Sequence, residues 1–278
     1  MSKQIPISFE FFPTKTDAGA EKLITVHKEL QLLNPEFFSV TYGAGGSTRE
    51  RTLSTLNDFN GKGTPVAPHL SCIGDSKERI AELLDLYKSQ GIDRIVALRG
   101  DLPSGQVGLG ELPYAQDLVH FIREHSGDHF HIEVAAYPEM HPQADSFDQD
   151  IQRFCEKANA GANAALTQFF FNPDAYFYFV DRIQREGVNI PVAPGIMPIT
   201  NASNLIRFAD GTGAEVPRWI RKQLATYGDD TASIKAFGHE VIVKLCERLI
   251  AGGAPSLHFY TMNTTDPTRQ LVQDLGLA

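Results

Sequence analysis

The sequence predicts an α/β fold: a (β/α)8 barrel of the TIM type, with extra helices between strands 7 and 8. Eight short apolar runs alternate with longer amphipathic segments along the chain. Such alternation implies parallel strands joined by crossover helices, and eight repeats imply closure. The length of 278 residues agrees, since one barrel of this kind takes about 250. The span 1–278 therefore reads as one domain. An open doubly wound sheet is the rival, weakened because no Gly-x-Gly-x-x-Gly follows any run.

The first run, Ile5–Phe12, is β-branched and aromatic and is closed by Pro13. Leu23, Val26, Leu30 and Leu33 follow at helical spacing. The next runs are Phe37–Tyr42 and Pro65–Cys72. Ile80, Leu83, Leu84 and Tyr87 make a second helical stripe that stops at Gly91, a good C-cap. Run Arg94–Arg99 precedes a stripe of Leu118, Phe121 and Ile122 ending before Gly127. Run His131–Tyr137 precedes Ile151, Phe154, Cys155 and Ala158, ending at Gly161. Run Ala164–Phe171 precedes Tyr176, Phe179, Val180 and Ile183, ending at Gly187. The last two runs are Pro191–Ile196 and Ser256–Thr261. The connection between them, Met197 to Pro255, is too long for one helix. It predicts helices near Asn201–Asp210, Pro217–Tyr227 and Asp230–Gly252.

The net charge of −9 leaves no basic excess to neutralise phosphates, so nucleic acid is excluded as the main partner. A small anionic ligand needs only a few local donors and stays open. Cys72, Cys155 and Cys246 are odd in number, far apart and free of any Cys-x-x-Cys spacing. They predict buried free thiols in a reducing cytosol rather than disulfides or a thiolate metal site. No signal-like region and no run of 18 apolar residues occurs, so a cytoplasmic protein without a membrane partner is expected.

In such a barrel the C-terminal strand ends form the active-site face. Those ends carry Glu10, Thr41-Tyr42-Gly43-Ala44-Gly45-Gly46, His69, Arg99-Gly100-Asp101, Tyr137 to His141, Gln168-Phe-Phe-Phe171, Pro194-Gly195 and Tyr260 to Asn263. Convergence of so many polar and aromatic groups predicts a polar small-molecule site. Glu10 is costly on an apolar strand unless paired, protonated or working, although it could also mark where the strand meets solvent. The Gly43–Gly46 loop lets backbone amides approach a phosphate or ring, and an ordinary turn with an N-cap explains it equally. Arg99 can grip a phosphate and Asp101 can set the field around a bound ring; a surface salt bridge is the plain alternative. His69 and His141 lack second ligands at close spacing, so no metal is expected and hydrogen-bonding or core roles are. Gln168 can pair with a heterocycle edge while a neighbouring phenylalanine stacks on its face.

Phe9-Glu-Phe-Phe-Pro13, Val40-Thr-Tyr-Gly-Ala44, Ala67-Pro-His-Leu70, Ala97-Leu-Arg-Gly-Asp101, Ala135-Ala-Tyr-Pro-Glu139 with His141, Thr167-Gln-Phe-Phe-Phe171, Pro194-Gly-Ile196 and His258-Phe-Tyr-Thr261 occur in that order. Together they resemble the 5,10-methylenetetrahydrofolate reductase family, in its short bacterial form with the catalytic barrel alone. The resemblance implies an FAD-binding barrel without a Rossmann motif. NADH or NADPH would reduce the flavin and leave; methylenetetrahydrofolate would then take its place and be reduced to 5-methyltetrahydrofolate for methionine synthesis. It implies Glu10 as general acid and Asp101 as the carboxylate near flavin and pterin. Gln168 and Phe208 match residues that contact folate and nicotinamide in turn. Thr41, Tyr42, Ala44, His69, Arg99, Gly100, Tyr137, His141, Asp150 and Lys157 match FAD contacts. A homo-oligomer is also expected on this basis.

The sequence departs from the family at several positions. Arg153 and Glu156 stand where many relatives have Asn and Arg on the FAD diphosphate side, and Arg153 is expected to take the phosphate contact from a shifted position. Asn204 replaces a Gln that often contacts folate, and Thr264 stands where an Arg commonly follows the Asn. An acid at the folate step needs its proton near neutral pH, and burial among aromatics raises a carboxyl in that direction. Two other readings remain: a flavin barrel acting on another reduced carbon–nitrogen substrate, and a folate- or flavin-binding module without turnover. The first has no need of Gln168 beside Phe208, and the second has no need of a buried acid.

Overall fold

The computed structural model describes residues 5–42, 46–101 and 108–278, without the side chains of 46–49. Its strands are β1 (Ile7–Phe11), β2 (Phe38–Val40), β3 (Val66–Ser71), β4 (Arg94–Leu98), β5 (His131–Ala136), β6 (Ala164–Thr167), β7 (Val192–Ala193), β8 (Gly195–Ile196) and β9 (Leu257–Tyr260). All described pairings are parallel, and the order is β7-β6-β5-β4-β3-β2-β1-β9-β8. β7 and β8 are two halves of one predicted strand. Pro194, which has no N–H to give a ladder, divides them. The first half pairs with β6 and the second with β9, so one broken strand brings the two edges of the sheet together and nearly closes the barrel.

Helices α1 (Asp17–Gln31), α2 (Gly46–Phe59), α3 (Lys77–Ser89), α4 (Ala115–Ser126), α5 (Phe147–Asn159) and α6 (Pro173–Arg185) follow the first six strands. Thr16, Ser76, Ser146 and Asn172 each cap a helix N-terminus through a side-chain oxygen, satisfying an orphan backbone N–H. Gly91, Gly127, Gly161 and Gly187 take positive φ beyond the ends of α3, α4, α5 and α6, as their spacing predicts. The long connection holds α7 (Ala202–Thr212), α8 (Arg218–Tyr227) and α9 (Thr231–Ala251), close to the expected bounds. A further helix, α10 (Thr268–Asp274), follows β9 and is absent from the sequence reading. The sixth run is shorter than expected: pairing ends at Thr167, so Gln168–Phe171 lies beyond the strand.

Alternation sorts the side chains. Ile7, Phe9, Phe11, Phe38, Val40, Ile95, Ile132, Val134, Leu257 and Phe259 enter the large core between strands and helices. Their in-between neighbours point into the barrel, where Phe37, Ala67, Val96, Leu166 and Ala193 form a small second core. The interior below that core is closed by charge. Arg94 bonds Glu133 at 3.0 Å and Glu36 at 2.7 Å, and its guanidinium lies 4.4 Å from the centre of the Phe37 ring.

The closing seam depends on one glycine. A Cβ on Gly195 would lie 2.2 Å from Thr167 O and 2.7 Å from the Tyr260 ring. Its absence lets Tyr260 donate its hydroxyl to Thr167 O at 2.7 Å and lets Gly195 N donate to Thr167 Oγ1 at 2.8 Å.

Candidate active site

Two adjoining cavities open at the C-terminal ends of the strands. The first is a central slot of about 330 Å³ lined by Glu10, Thr41, His69, Tyr137, Gln168 and Phe208, among others. The second, about 320 Å³, is lined by Arg99, Gly100, Asp101, Tyr137, His141, Asp150, Arg153, Glu156 and Lys157, with Tyr114 and Gln116 at its side. Leu98, Ala135 and Tyr137 line both, so the two spaces are continuous.

Glu10 lies on the slot wall near the end of β1. Its Oε2 is 3.3 Å from His69 Nε2 on β3 and 3.4 Å from His258 Nε2 on β9. The His258 contact is a hydrogen bond, whereas His69 Nε2 is buried without an aligned hydrogen-bond partner and so remains an unsatisfied polar atom beside the slot. Ser8 Oγ meets the other nitrogen of His258 at 2.7 Å. Ser8 and His258 are directly paired in register across β1 and β9, and both are buried. Phe37 stacks on the His258 ring at 5.9 Å and fixes its plane from below. Thr261 Oγ1 donates to Glu10 O at 2.7 Å, anchoring the backbone that carries the acid.

This arrangement corrects one expectation. Burial does push the Glu10 carboxyl up, but the close approach of the His69 and His258 rings, with the His258 hydrogen bond, more than offsets it and leaves it lowered to about 2. Glu10 is therefore a carboxylate facing two rings, not an isolated protonated acid. Tyr260, half-buried and paired in register with Glu10, has its phenol pushed well up by burial and stays neutral.

Across the slot, Gln168 Oε1 accepts from Phe169 N at 3.0 Å. Its amide NH2 is left without a protein partner among the described residues. Phe208 and Thr212, one turn apart on α7, supply the facing wall. Asn204 lies one turn earlier on the same helix but is exposed and does not line the slot. Thr264 lies outside the slot, in a neighbouring groove.

In the second cavity, Lys157 reaches back from α5 and donates to Ala135 O at 2.5 Å. Burial lowers its ammonium to about 8. Arg99 bonds Gln143 at 2.5 Å, and Asp150 Oδ2 accepts from His141 N at 2.8 Å, tying the start of α5 to the β5 loop. Tyr137 and His141 meet edge to face at 4.5 Å. Gly100 has φ 83°, and a Cβ there would lie 1.7 Å from Ser71 Oγ, so close approach of the β3 and β4 loops requires glycine. Three cations, Arg99, Arg153 and Lys157, line this space, and half-buried Lys157 bonds a carbonyl with the Asp150 charge and the Phe154 ring near it. That donor set fits a diphosphate, and the continuity with the slot fits a cofactor whose ring enters from this side. Glu156 lines the same cavity, so the second departure from the family pattern also faces it.

The fold therefore brings together Glu10, Thr41, His69, Gln168 and Phe208 in one space and the Arg99-to-Lys157 set in the other. Tyr42 is half-buried at the end of β2, and Ala44 lies outside the described residues. Sequence reasoning missed Ser8 and Met197 as site residues, saw His258 only within a motif, and placed Tyr260 at a strand end without giving it a role. Period-two spacing could have found Ser8 from Glu10, and His258 from Tyr260; their pairing across 250 residues has no local signal. Among the described residues no group of three or more His, Cys, Asp or Glu side chains is placed to hold a metal, and no helix is long and apolar enough to cross a membrane.

Residues 1–276 match the family model for methylenetetrahydrofolate reductase. A 5,10-methylenetetrahydrofolate reductase from Pectobacterium carotovorum subsp. carotovorum is 40% identical over 275 residues, spanning 99% of this chain and 91% of the relative. The Escherichia coli (strain K12) protein of the same name is 38% identical over 275 residues, spanning 99% and 92%. Methylenetetrahydrofolate reductase (NADH) 1 of Arabidopsis thaliana is 35% identical over 288 residues, covering 99% of this chain but 49% of the plant protein. Among solved structures, an uncharacterized Clostridium thermocellum protein described as binding two copies of 5-methyl-5,6,7,8-tetrahydrofolic acid superposes with TM-score 0.68 at 15% identity, covering 93% of this chain and 89% of that one, a likeness of fold. With 40% identity across nearly its whole length and the family's model matched from end to end, this chain belongs to the methylenetetrahydrofolate reductase family.

Proposed function

We propose that the barrel reduces 5,10-methylenetetrahydrofolate to 5-methyltetrahydrofolate in two half-reactions at one slot, using FAD and NADH or NADPH. The observation that carries this reading is Glu10 held between His69 and His258 on one wall of the slot, opposite Gln168 and Phe208. Arg99, Arg153 and Lys157 would hold the FAD diphosphate, with His141, Asp150 and Tyr137 beside it; Thr41, Tyr42, Ala44, His69 and Gly100 complete the cofactor contacts. When bound, FAD supplies the hydride chemistry that links the nicotinamide donor to the folate acceptor.

The residues of this chain have the remaining work. The methylene carbon of the substrate bridges two nitrogens. Protonating one of them lets that carbon–nitrogen bond break, and the electron pair stays on the departing nitrogen. The C=N⁺ cation left behind accepts hydride and becomes the methyl group. Glu10 hands over the proton. Because the resting carboxyl is lowered to about 2, it acts as the carboxylate half of a glutamate–imidazole unit rather than as a stored acid. The proton comes through the His258 ring, whose Nε2 faces Glu10 and whose Nδ1 meets Ser8 Oγ. Asp101, exposed at the rim of the second cavity, favours the developing cation electrostatically. Gln168 offers its unpartnered amide NH2 to the acceptor edge of the pterin, and Phe208 stacks on whichever ring occupies the slot. With one slot serving both substrates, the nicotinamide must leave before the folate enters. Cytoplasmic location and homo-oligomeric assembly complete the proposal.

The test is direct. Purified protein, reconstituted with FAD if necessary, is expected to be yellow. NADH or NADPH should bleach it without oxygen, and methylenetetrahydrofolate should restore the colour with one equivalent of 5-methyltetrahydrofolate formed. Protein that cannot be loaded with FAD, or whose bleached form does not react with the folate, would overturn the reading.

A further inference from the structure

Phe208 and Thr212 line the slot from α7, and that helix is lightly held. Of its eleven residues only Leu205 and Ala209 are buried. An element with so little apolar burial opens locally at low cost. A polar tie at its C-terminal end compensates. Glu139, on the turn after β5, accepts a hydrogen bond through Oε2 from Glu215 N at 2.8 Å. Among the described residues no other hydrogen bond joins α7, or residues 213–216 after it, to a strand or to another strand-end loop.

We propose that Glu139 is a positioning residue: its carboxylate clasps the loop after α7 and so sets how closely Phe208 and Thr212 approach a ring bound in the slot. The inference rests on the reading of the slot above, in which a nicotinamide and a pterin occupy it in turn. Three observations carry it. First, the side of the clasp that bears Glu139 is fixed. His141 N donates to Asp150 Oδ2 at 2.8 Å, Gln143 N to His141 Nδ1 at 3.0 Å and Ala144 N to His141 O at 2.9 Å. Met140, between Glu139 and His141, holds φ 91°, a conformation that persists in a non-glycine residue only where its neighbours impose it. The same turn delivers Tyr137 and His141 to the cofactor cavity and Glu139 to the loop after α7.

Second, the other side is shaped to meet it. Gly213 closes α7 at φ 75°, and a Cβ there would lie 3.0 Å from Pro142 Cγ, so glycine lets the loop come up against the turn. Ala214 and Val216 are buried on either side of Glu215, whose own side chain is exposed. The fold therefore offers Glu139 the backbone N–H of Glu215. Third, the acceptor is charged and half-buried. Burial pushes the Glu139 carboxyl up to about 6, with the Glu215 N–H pulling the other way, so it is ionised at neutral pH. It has no ion pair among the described residues, and a carboxylate in that position is costly without its hydrogen bond. The consequence for the reaction follows from the shape of the slot. Phe208 stacks on a bound ring alike in the ground state and the transition state, so a loosened wall weakens binding and leaves the hydride steps nearly unchanged.

The experiment compares the full-length protein with its Glu139→Ala and Glu139→Gln variants. Alanine removes the acceptor, whereas glutamine keeps an oxygen that can accept from Glu215 N without the charge. Melting midpoints and FAD content report that the variants fold and load. Hydrogen–deuterium exchange, with and without FAD, reads local opening. Stopped-flow half-reactions over a range of NADH and of 5,10-methylenetetrahydrofolate give an apparent Kd and a limiting rate for each. Glu139→Ala should speed exchange across residues 202–216 by about tenfold while α9 is unchanged. It should raise both Kd values by about tenfold and change the limiting rates by less than about twofold. Glu139→Gln should restore both readouts. Unchanged exchange in α7, faster exchange with both Kd values unaltered, or faster exchange spread over every helix overturns the clasp while the reading of the slot stands. A wild type that binds neither NADH nor the folate overturns the reading of the slot and this inference with it.

Discussion

Replacing Glu10 by glutamine tests the division of labour in the slot. The change keeps side-chain volume and removes both the charge and the ability to carry a proton. Glu10 Oε2 is the oxygen that both rings approach, at 3.3 Å and 3.4 Å, so no neighbouring carboxylate can substitute for it in place. Loss of a positioned general acid typically costs about two to four orders of magnitude, or about 3–5 kcal/mol of barrier. The folate half-reaction should fall by that factor. The nicotinamide half-reaction moves a hydride without needing this proton, so bleaching by NADH should change by less than about threefold. Stopped-flow absorbance of the flavin, run separately for each half-reaction, measures both. Stability should respond too. The native Glu10 carboxyl lies below its ordinary 4.5, at about 2, so it contributes stability above pH 4.5 that is lost as pH falls toward 2. The variant should be less stable at neutral pH and should lack that part of the acid transition. Equal loss in both half-reactions would mean that Glu10 is structural, and an unimpaired folate step would refute the assignment of the proton.

Two further perturbations test the scaffold. His27 is buried on α1 between Phe38 and Phe59, with ring centres 4.4 Å and 4.1 Å away, and burial, aided by Lys62 and Lys28, lowers it from 6.5 to about 4. The unfolded chain therefore takes up a proton that the native state refuses, and native stability should fall between pH 6.5 and pH 4 by about 2 kcal/mol after solvent screening of the two exposed lysines; urea midpoints should lose that pH slope in His27→Leu, and identical slopes would refute it. At the barrel seam, Gly195→Ala places a methyl against backbone at 2.2 Å and should cost about 3 kcal/mol or more, whereas Gly211→Ala on α7, with nothing within 4 Å, should be neutral or mildly stabilising; equal melting midpoints for the two variants would refute the steric account of closure.

The architecture was legible because its signals are local. Each run needs only apolar, β-branched residues in sequence, and each helix end needs only a glycine at the right distance. Pro194 shows where local signals stop. The run Pro191–Ile196 reads as one strand, and only the sheet reveals that its halves serve opposite edges. The short α10 was missed because seven residues give barely two turns of periodicity. In the site, Glu10, Gln168, Arg99 and Asp101 were singled out because strand ends can be read from the chain, whereas Asp150, Arg153 and Lys157 on α5 came only from the family resemblance. His258 was seen only as part of a motif, because its role depends on register with Ser8. The charge state of Glu10 was misjudged for the same reason. Desolvation can be inferred from an apolar strand, but the two imidazoles that reverse it arrive from β3 and β9.

Buried polarity alone does not separate function from scaffolding in this barrel. Glu133 Oε2 and His69 Nε2 are both buried without a hydrogen bond. Glu133 sits at the closed end, where its other oxygen is held by Arg94 and no described cavity touches it. His69 opens onto a space of about 330 Å³ that also receives Glu10, Gln168 and Phe208. The two ends are mechanically joined, since Arg94 lies over Phe37 and Phe37 stacks on His258. The ion pairs at the bottom therefore fix the plane of the ring that faces Glu10 at the top. An ion-paired cluster closed off from any described cavity thus holds in register the slot at the other end, where the unsatisfied His69 Nε2 opens onto space a ligand can fill.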